Sequence, residues 1–533
     1  MPAEPAAQPD GAAAPAPPPL VPEGATVAAY PHADRIPAAI HGPDSSLRGI
    51  VVCVTGLGVS GYPMAVHLAE RGAEVIVVDA DIAADRSEHE AILAVFDADI
   101  RRGPSHVEAL PRTADGRLPD LVCTSQGWRP DQPLLVAAQA AGIPVIGEVE
   151  LAWRVRGANS APWLVVTGTN GKTTTTSMLA SMLSAAGLEA RACGNIGAPL
   201  LEAVLDPEAQ VLAIELASFQ LHWQFSMCAD SAAVLNLAPD HLDWHGGLDA
   251  YAAAKAKAYH NVGLACVYSR ADPATRTMVE DAEVRPGARA IGFGTEVPGP
   301  GDFGLVDDVL VDRAFLPERY SAALEIADTA DVAIASGTPD RPAAPHQIAN
   351  ALAAAALARS IGVPPAAVRT GLRAHVAGGH RLALVATAGG AAYVDDSKAT
   401  NPHAAAAALA AFEPIVWIAG GLAKGARYED LVERFGARLR ACVLIGAEPG
   451  PLAEALAARA PGVPVVRIDP AEPEGTEPRG ADVMARAVAA AAQLARPGDT
   501  VLLAPAAASM DQFRDYAVRG DAFAAAAREV AGE

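Results

Sequence analysis

The chain has 533 residues, of which 51% are hydrophobic and only 5% aromatic, and its formal net charge is −22. This length exceeds what a single hydrophobic core supports, so we expect several domains. The negative charge argues against a protein that covers a nucleic-acid backbone with a basic face.

The N-terminal stretch 1–45 is rich in Ala and Pro and has no hydrophobic periodicity, which predicts a disordered tail. It has no basic segment followed by an apolar run, and no later run is apolar enough to span a bilayer. The six cysteines lie far apart without a C-x-x-C pair, so we expect buried thiols rather than zinc ligands or disulfides. These features predict a cytoplasmic protein without membrane or nucleic-acid partners, and we expect a monomer.

Beyond the tail, short β-branched runs alternate with Ala-rich helical stretches, a pattern typical of parallel sheets covered by helices. The sequence therefore predicts an α/β fold with three domains, at 46–156, 157–379 and 380–533. A stretch rich in Gly, Pro and Asp at 294–308 is expected to be a surface excursion. The expected strands are 50–55, 74–79, 121–124, 163–167, 211–216, 232–236, 415–419, 442–445 and 500–504.

A glycine-rich turn follows the first expected strand. It reads Gly56-Leu57-Gly58-Val59-Ser60-Gly61, and Asp79 ends the next strand. This is the dinucleotide-binding pattern, with an acid about twenty residues further on. Taken alone, it favours an NAD-dependent dehydrogenase, which stays open as an alternative.

A second glycine-rich loop follows the strand 163–167 and precedes a helix. It reads Gly168-Thr169-Asn170-Gly171-Lys172-Thr173-Thr174. Glycines let backbone amides converge on phosphates, and the helix N-terminus adds positive potential. Lys172 would reach the terminal phosphates, and the Thr173 hydroxyl would meet magnesium. The spacing departs from the general phosphate-loop pattern, which has Gly where Val166 stands.

Three further residues are ambiguous on their own. Glu215 ends a strand in the same framework, where a carboxylate can hold magnesium or simply cap the loop. His241, between two aspartates, reads alone as a capping residue. Lys255 reads alone as a solvated helix lysine.

The motifs taken together resemble the Mur ligase and folylpolyglutamate synthase superfamily. Besides the shortened loop T-G-T-N-G-K-T, the matching segments are Gly194-Asn195-Ile196-Gly197, 215–221, Asn236, 240–243, 251–255, His346-Gln347 with Asn350, and His380-Arg381.

The resemblance implies a Rossmann-like UDP-binding domain, a central ATPase-like domain with the phosphate loop, and a Rossmann-like C-terminal domain. It implies ATP and Mg²⁺ as cofactors. The implied ATP-binding residues are Gly168, Thr169, Asn170, Gly171, Lys172, Thr173, Thr174, Asn350, Arg381 and Asp396. The implied metal ligands are Thr173, Glu215, His241 and a carbamylated Lys255. The implied catalytic residues are Lys172, Lys255, His241 and Lys398.

The resemblance also makes the first glycine-rich turn a site for the UDP part of a substrate. The implied contacts are Gly58, Val59, Ser60, Asp79, Ser125, Gly127 and Asn195. Gln126 departs from the family's usual Ser-Pro-Gly segment, which leaves the local turn open. A three-domain ligase must also close around a reactive intermediate, so we predict hinges near Gly157 and near Gly378-Gly379.

Three segments of the last third, 395–401, 420–425 and 503–513, resemble the members that add D-glutamate to UDP-N-acetylmuramoyl-L-alanine through an acyl phosphate. Other Mur-type or folylpolyglutamate-type ligases remain the alternatives. The implied D-glutamate contacts are Thr400, Lys424, Ser509 and Tyr516, and Tyr516 stands where relatives often have Phe.

Overall fold

The computed structural model describes residues 19–25, 29–469 and 480–532. The chain forms two compact units. One contains the described residues up to Asn236 together with Ala253–His375, and the other contains Leu237–Ala252 and the described residues from Val376 onward.

The first sheet of the larger unit is parallel, with the strand order β3-β2-β1-β4-β5. Its strands are β1 (Val51–Thr55), β2 (Glu74–Asp79), β3 (Asp99–Arg102), β4 (Leu121–Thr124) and β5 (Val145–Gly147); its helices are α1 (Gly61–Glu70), α2 (Ser87–Ala94), α3 (Pro133–Ala140) and α4 (Glu148–Val155). Since β1 is buried along its whole length, its uninterrupted apolar run is that of a central parallel strand. The strand order reverses between β1 and β4, so the turn after β1 lies where ligands bind in such sheets.

The predicted disordered tail is too long. Ile36 and Ile40 are buried, the Tyr30 hydroxyl donates to the carbonyl of Val145, and the Tyr30 ring stacks on Phe225 at 4.3 Å. The few large apolar side chains among many Ala and Pro residues therefore suffice to dock 29–45 on the first unit. Residues 1–18 lie outside the described part of the chain.

The second sheet has the order β14-β13-β12-β11-β10-β9-β6-β8-β7. Its strands are β6 (Trp163–Thr167), β7 (Ala190–Gly194), β8 (Val211–Glu215), β9 (Ser231–Val234), β10 (Ala265–Ser269), β11 (Arg289–Phe293), β12 (Phe303–Val306), β13 (Val309–Asp312) and β14 (Leu324–Asp328). Its neighbours pair in parallel from β7 to β12, and β12, β13 and β14 pair antiparallel.

The helices of this middle part include α5 (Lys172–Ala185) and the Ala-rich α12 (Pro345–Ser360), which pack on each other and on the sheet. Small alanine side chains let α12 approach its neighbours closely, and most of its residues are buried. The others are α6 (Leu200–Leu205), α7 (Ser218–His222), α8 (Leu242–His245), α9 (Leu248–Ala256), α10 (Pro273–Glu280), α11 (Thr329–Ala335) and α13 (Pro365–Ala374).

The stretch 294–308 is not simply a surface excursion. It contains β12, and the side chain of Phe303 is fully buried in the core. The Gly and Pro residues form the turns before this strand, whose apolar residues are too few to stand out in the sequence.

The third sheet lies in the second unit, with the order β15-β16-β20-β17-β18-β19. Its strands are β15 (Ala383–Ala388), β16 (Ala391–Asp395), β17 (Ile415–Gly420), β18 (Leu439–Ile445), β19 (Val465–Arg467) and β20 (Thr500–Leu503); its helices are α14 (Pro402–Ala410), α15 (Glu429–Phe435), α16 (Gly450–Arg459), α17 (Gly480–Leu494) and α18 (Tyr516–Ala531). The pair β15–β16 is antiparallel and the rest of the sheet is parallel.

The nine expected strands are all confirmed, with ends that differ by at most a few residues. The six cysteines are buried and unpaired, as expected. Among the described residues, no helix combines the length and the apolar character needed to cross a membrane.

Candidate active site

The phosphate loop connects β6 to α5. Gly168 and Gly171 have φ values of 148° and 84°, which residues with a side chain rarely adopt. A β-carbon on Gly171 would lie 2.4 Å from Oδ1 of Asn350. Asn350, an ATP contact implied by the resemblance, therefore lies directly against the loop, and only glycine fits beneath it.

Two lysines converge on one carbonyl of this loop. Nζ of Lys172 donates to the carbonyls of Gly168 and Thr169, both at 2.9 Å, and Nζ of Lys255 donates to the carbonyl of Gly168 at 2.8 Å. Lys255 is only 1% exposed. The interpretation of Lys255 as a solvated helix lysine is thus wrong, because the structure places its amine at the phosphate loop.

Asn236 follows β9, the neighbour of β6, and binds the backbone of the phosphate loop. Its Oδ1 accepts from the amide of Asn170 at 2.8 Å, its Nδ2 donates to the carbonyl of Asn170 at 3.0 Å, and its own carbonyl accepts from the amide of Thr169. These three bonds fix the backbone of the loop. The sequence comparison marks Asn236 only as a motif residue, since nothing local shows that it bonds a residue 66 positions away.

Glu215 ends β8, the strand beside β6, and is buried. Its Oε1 accepts from Nδ2 of Asn195 at 2.8 Å, while its Oε2 is buried and accepts no hydrogen bond from the described residues. A buried carboxylate oxygen without a donor is costly unless a cation satisfies it. The residue therefore fits a magnesium ligand, because Mg²⁺ takes oxygen donors.

The predicted metal set also includes Thr173 and His241. Thr173 lies half-buried in the first turn of α5. His241 belongs to the second unit, where its backbone is left-handed (φ 53°) and its Nε2 lies 3.6 Å from Oδ2 of Asp240. Within the described ranges, no cluster of three or more His, Cys, Asp or Glu is preformed for a metal.

The glycine-rich turn after β1 is held by the acid that ends β2. Oδ2 of Asp79 accepts from the amide of Leu57 at 2.7 Å, and Oδ1 accepts from the amide of Asp81 at 2.8 Å. A β-carbon on Gly61 would lie 1.9 Å from the carbonyl of Gly56, so helix α1 starts close to the turn. Val59 at the tip is 71% exposed.

The other predicted UDP contacts are dispersed. The hydroxyl of Ser125 donates to the carbonyl of Thr55 at 2.6 Å, which places Ser125 beside the turn, and Gly127 is exposed in the same segment. Ser60 is buried at the start of α1. Asn195, by contrast, follows a strand of the second sheet and bonds Glu215, so the structure groups it with the phosphate loop.

In the second unit, His380 and Asp395 form a close pair. Nδ1 of His380 lies 2.6 Å from Oδ2 of Asp395, and Oδ1 of Asp395 accepts from the amide of Ser397 at 2.9 Å. Asp396 follows in the chain and is largely buried. Burial raises the pKa of Asp396 to about 7, against the amide of Leu382 and the charge of Arg381, which both lower it. The structure thus brings Arg381 and Asp396 close enough for the two charges to interact.

Lys398 and Tyr516 lie beside this pair. Nζ of Lys398 is 3.8 Å from the centroid of the Tyr516 ring, a cation–π contact. The ring of Tyr516 also has its edge toward His380. Tyr516, predicted to contact D-glutamate, therefore packs on Lys398, one of the implied catalytic residues.

Arg519 is a residue that the sequence reasoning missed. It is 1% exposed and donates to the hydroxyl and the carbonyl of Ser397 and to the carbonyl of Ala507, at 2.9 to 3.1 Å. The Ser397 hydroxyl donates in turn to the carbonyl of Tyr516. Arg519 thus joins the segment after β16 to the segment after β20. No local signal separates it from the other arginines of the C-terminal helices.

The loops after β17 and β20 meet through a backbone bridge. Leu422 and Ala508 exchange two hydrogen bonds of 2.9 and 3.0 Å, which brings the loop of Lys424 to that of the buried Ser509. Lys424 adopts a left-handed backbone (φ 49°), and Thr400 is half-buried in the loop after β16. The structure therefore brings Lys424 and Ser509 to one edge of the sheet, where an amine and a hydroxyl can bind a carboxylate.

Two family models match the chain. The Mur ligase middle domain matches residues 166–358, and the Mur ligase glutamate ligase domain matches residues 380–507. The UDP-N-acetylmuramoylalanine–D-glutamate ligase of Streptomyces coelicolor is 54% identical, over 91% of this chain and 99% of the relative. The protein of the same name from Thermobifida fusca is 53% identical, over 91% of this chain and 100% of the relative.

Among solved structures, the UDP-N-acetylmuramate-alanine ligase of Thermotoga maritima has a TM-score of 0.51 at 18% identity. The match covers 90% of this chain and 99% of that structure. At this identity the likeness concerns the fold, and it agrees with three α/β domains.

Proposed function

This chain belongs to the Mur ligase family, and we propose that it joins D-glutamate to UDP-N-acetylmuramoyl-L-alanine, with hydrolysis of ATP, in the synthesis of peptidoglycan precursors. The observation that carries the proposal is the convergence of Lys172 and Lys255 on the carbonyl of Gly168, beside a carboxylate with one unsatisfied oxygen. The names of the relatives at 53% and 54% identity support D-glutamate as the acceptor and UDP-N-acetylmuramoyl-L-alanine as the UDP-linked substrate. Because the chain belongs to this family, we assign the first glycine-rich turn to the UDP part of the substrate and no longer to the dinucleotide of a dehydrogenase.

The reaction proceeds by activation of the alanyl carboxylate. A carboxylate oxygen attacks the γ-phosphorus of ATP, the bond to ADP breaks, and an acyl phosphate forms. The amine of D-glutamate then attacks the acyl carbon and loses a proton, and inorganic phosphate leaves as the amide bond forms.

The residues of the phosphate loop bind and orient ATP. Loop amides and the start of α5 face its phosphates, and Lys172 offsets the charge that develops on the transferred group. Asn350, which lies against Gly171, is assigned to the nucleotide as well. Arg381 and Asp396 complete the ATP site, and Lys398 assists the phosphoryl group.

Magnesium fits the oxygen of Glu215 that lacks a donor. Thr173, His241 and Lys255 in a carbamylated form complete its ligands in the proposal. When bound, the ion neutralises charge on the phosphate oxygens and orients them.

The remaining sites divide between the outer domains. We assign the UDP part of the substrate to the turn after β1, with Gly58, Val59, Ser60 and Asp79, and D-glutamate to the edge that carries Lys424 and Ser509. The corresponding domains are 46–156, 157–379 and 380–533. The enzyme acts as a monomer in the cytoplasm, where ATP and UDP-linked precursors are made.

Phosphate release tests the proposal. The purified chain is incubated with ATP, Mg²⁺, UDP-N-acetylmuramoyl-L-alanine and each member of a panel of D- and L-amino acids. We expect release with D-glutamate alone. Release with a folate substrate and L-glutamate, or with a different amino acid, would contradict the proposed acceptor.

A further inference from the structure

The first residue of α4, Glu148, is a buried carboxylate at the junction of the first two sheets. It is 4% exposed, and its Oε1 accepts from the amide of Leu201 at 3.2 Å. The hydroxyl of Ser60 and the amide of Leu200 lie close enough to lower its pKa, and α4, which Glu148 begins, packs against both α1 and α6. One side chain therefore lies between two segments that are more than a hundred residues apart in sequence.

The two segments are those to which the proposed function assigns different parts of one substrate. Ser60 closes the turn assigned to the UDP part. Leu200 and Leu201 start α6, directly after the loop whose Asn195 bonds the carboxylate of Glu215. The contacts of Glu148 thus link the proposed UDP turn to the segment that orients Glu215.

The packing around Glu148 supports a link of fixed geometry. Helix α4 packs against α6, and α1 packs against both of them. Burial raises the pKa of Glu148 to about 7, since amide and hydroxyl donors offset only part of the cost of a charge there. A buried acid of this kind is expensive to keep if an apolar residue would fill the place equally well.

We propose that Glu148 is a positioning residue for the ligase reaction, which sets the UDP turn at a fixed separation from the Asn195–Glu215 end of the ATP site. This inference rests on the proposed function. The substrate must place its UDP part on the turn and its alanyl carboxylate at the γ-phosphate together. A small error in this separation misaligns the carboxylate without removing any direct contact to UDP.

The test compares variants at three positions. Glu148→Ala removes the link, Glu148→Gln keeps one oxygen acceptor, and Ser60→Ala breaks the link from the other side. Glu202→Gln is the matched control, because Glu202 is exposed on α6, the helix that also contains Leu200 and Leu201. For each variant we measure kcat, KM for every substrate, the Kd of UDP and the melting temperature.

For Glu148→Ala we expect kcat to fall on the order of 10- to 100-fold, with the Kd of UDP within about threefold of the unmodified enzyme. Glu148→Gln should recover most of that loss, and Glu202→Gln should behave as the unmodified enzyme. Because Ser60 is also assigned to the UDP site, Ser60→Ala should raise KM for the UDP substrate, but in the Glu148→Ala background it should lower kcat at saturating substrate no further, since both changes break one link.

Several outcomes would overturn the inference. An unchanged kcat in Glu148→Ala, an additive loss in the double variant, or an equal loss in Glu202→Gln would each do so. If Glu148→Ala does not fold, Ser60→Ala decides the question, and an unchanged kcat in that variant contradicts the link. Absence of activity in the unmodified enzyme would instead overturn the proposed function itself.

Discussion

Glu215 and Asp79 occupy equivalent places in two different sheets. Each ends the strand next to one that runs into a glycine-rich loop, β8 beside β6 and β2 beside β1. Both oxygens of Asp79 accept from backbone amides, so its charge stabilises the shape of the turn. Glu215 has one oxygen bound by Asn195 and one with no donor among the described residues. At the same position of a βα unit, Asp79 therefore stabilises the backbone of a turn, whereas Glu215 has an oxygen that suits a cation.

The largest effect should come from Glu215. We expect Glu215→Ala to lower kcat on the order of 100-fold or more and to weaken the response to Mg²⁺, because the carboxylate is lost from the proposed metal site. Asp79→Ala is the matched variant at the equivalent strand end. Phosphate release is measured against Mg²⁺ concentration for both variants. An equal change of the Mg²⁺ dependence in both would contradict a metal-binding role that Glu215 has and Asp79 lacks.

A comparably large effect is expected at Lys255. Lys255→Ala should lose activity on the order of 100-fold, and added acetate should restore part of it if the native group is a carbamate. Lys257→Ala, two residues further along the chain, is the control, since Lys257 donates to the carbonyls of His222 and Gln224 instead. Intact-mass measurement of the protein without substitutions should show the added mass of the carbamate. Full activity of Lys255→Ala would remove Lys255 from the mechanism.

An intermediate effect is expected at Asp79. Asp79→Asn keeps an acceptor for the amide of Leu57 and loses the one for Asp81, so the turn should loosen rather than unfold. We expect KM for the UDP substrate to rise about threefold to tenfold, and KM for ATP and D-glutamate to stay unchanged. Steady-state kinetics with each substrate varied in turn checks this. A rise confined to ATP would move Asp79 out of the UDP site.

The last prediction concerns stability and not activity, and it extends the comparison to a third acid. The pKa of Glu148 is raised from 4.5 to about 7 by burial, with Glu202 and Cys193 as its ionisable neighbours on α6 and β7. Between these pH values the folded state holds a proton that the unfolded state releases, so stability from this group falls as pH rises. Above pH 7 the ionised Glu148 lowers the free energy of unfolding by on the order of 3 kcal/mol relative to its protonated form at low pH.

Glu148→Gln mimics the protonated form and does not titrate. Its melting temperature should therefore exceed that of the unmodified protein by a few degrees at pH 8, and the difference should close toward pH 5. Calorimetry across this range gives the result. A constant difference at all pH values would mean that the pKa of this carboxyl is the same in the folded and unfolded states.

The sequence predicts the parts of the fold whose signal is local. Central strands such as β1 and β6 are buried on both faces and appear as continuous apolar runs. The edge strands β3 and β7 were missed because most of their residues are only partly buried, and their sequences carry no apolar run. The docking of 29–45 was missed for a related reason, since a few apolar side chains decide it.

The candidate site divides in the same way. The phosphate loop, Glu215 and Asp79 are readable because each lies at a fixed offset from a strand end. The contact of Arg519 with Ser397 spans 122 positions, and the bond of Asn236 to Asn170 spans 66. Such contacts depend on how strands are ordered in a sheet, which no single segment encodes.

Isotope transfer tests the central claim most directly. UDP-N-acetylmuramoyl-L-alanine labelled with ¹⁸O in its alanyl carboxylate is converted with ATP and D-glutamate, and the released phosphate is analysed by mass spectrometry. Because a carboxylate oxygen attacks the γ-phosphorus and later leaves with it, each phosphate should carry one ¹⁸O atom. Unlabelled phosphate would contradict the acyl phosphate and, with it, the proposed function of the phosphate loop.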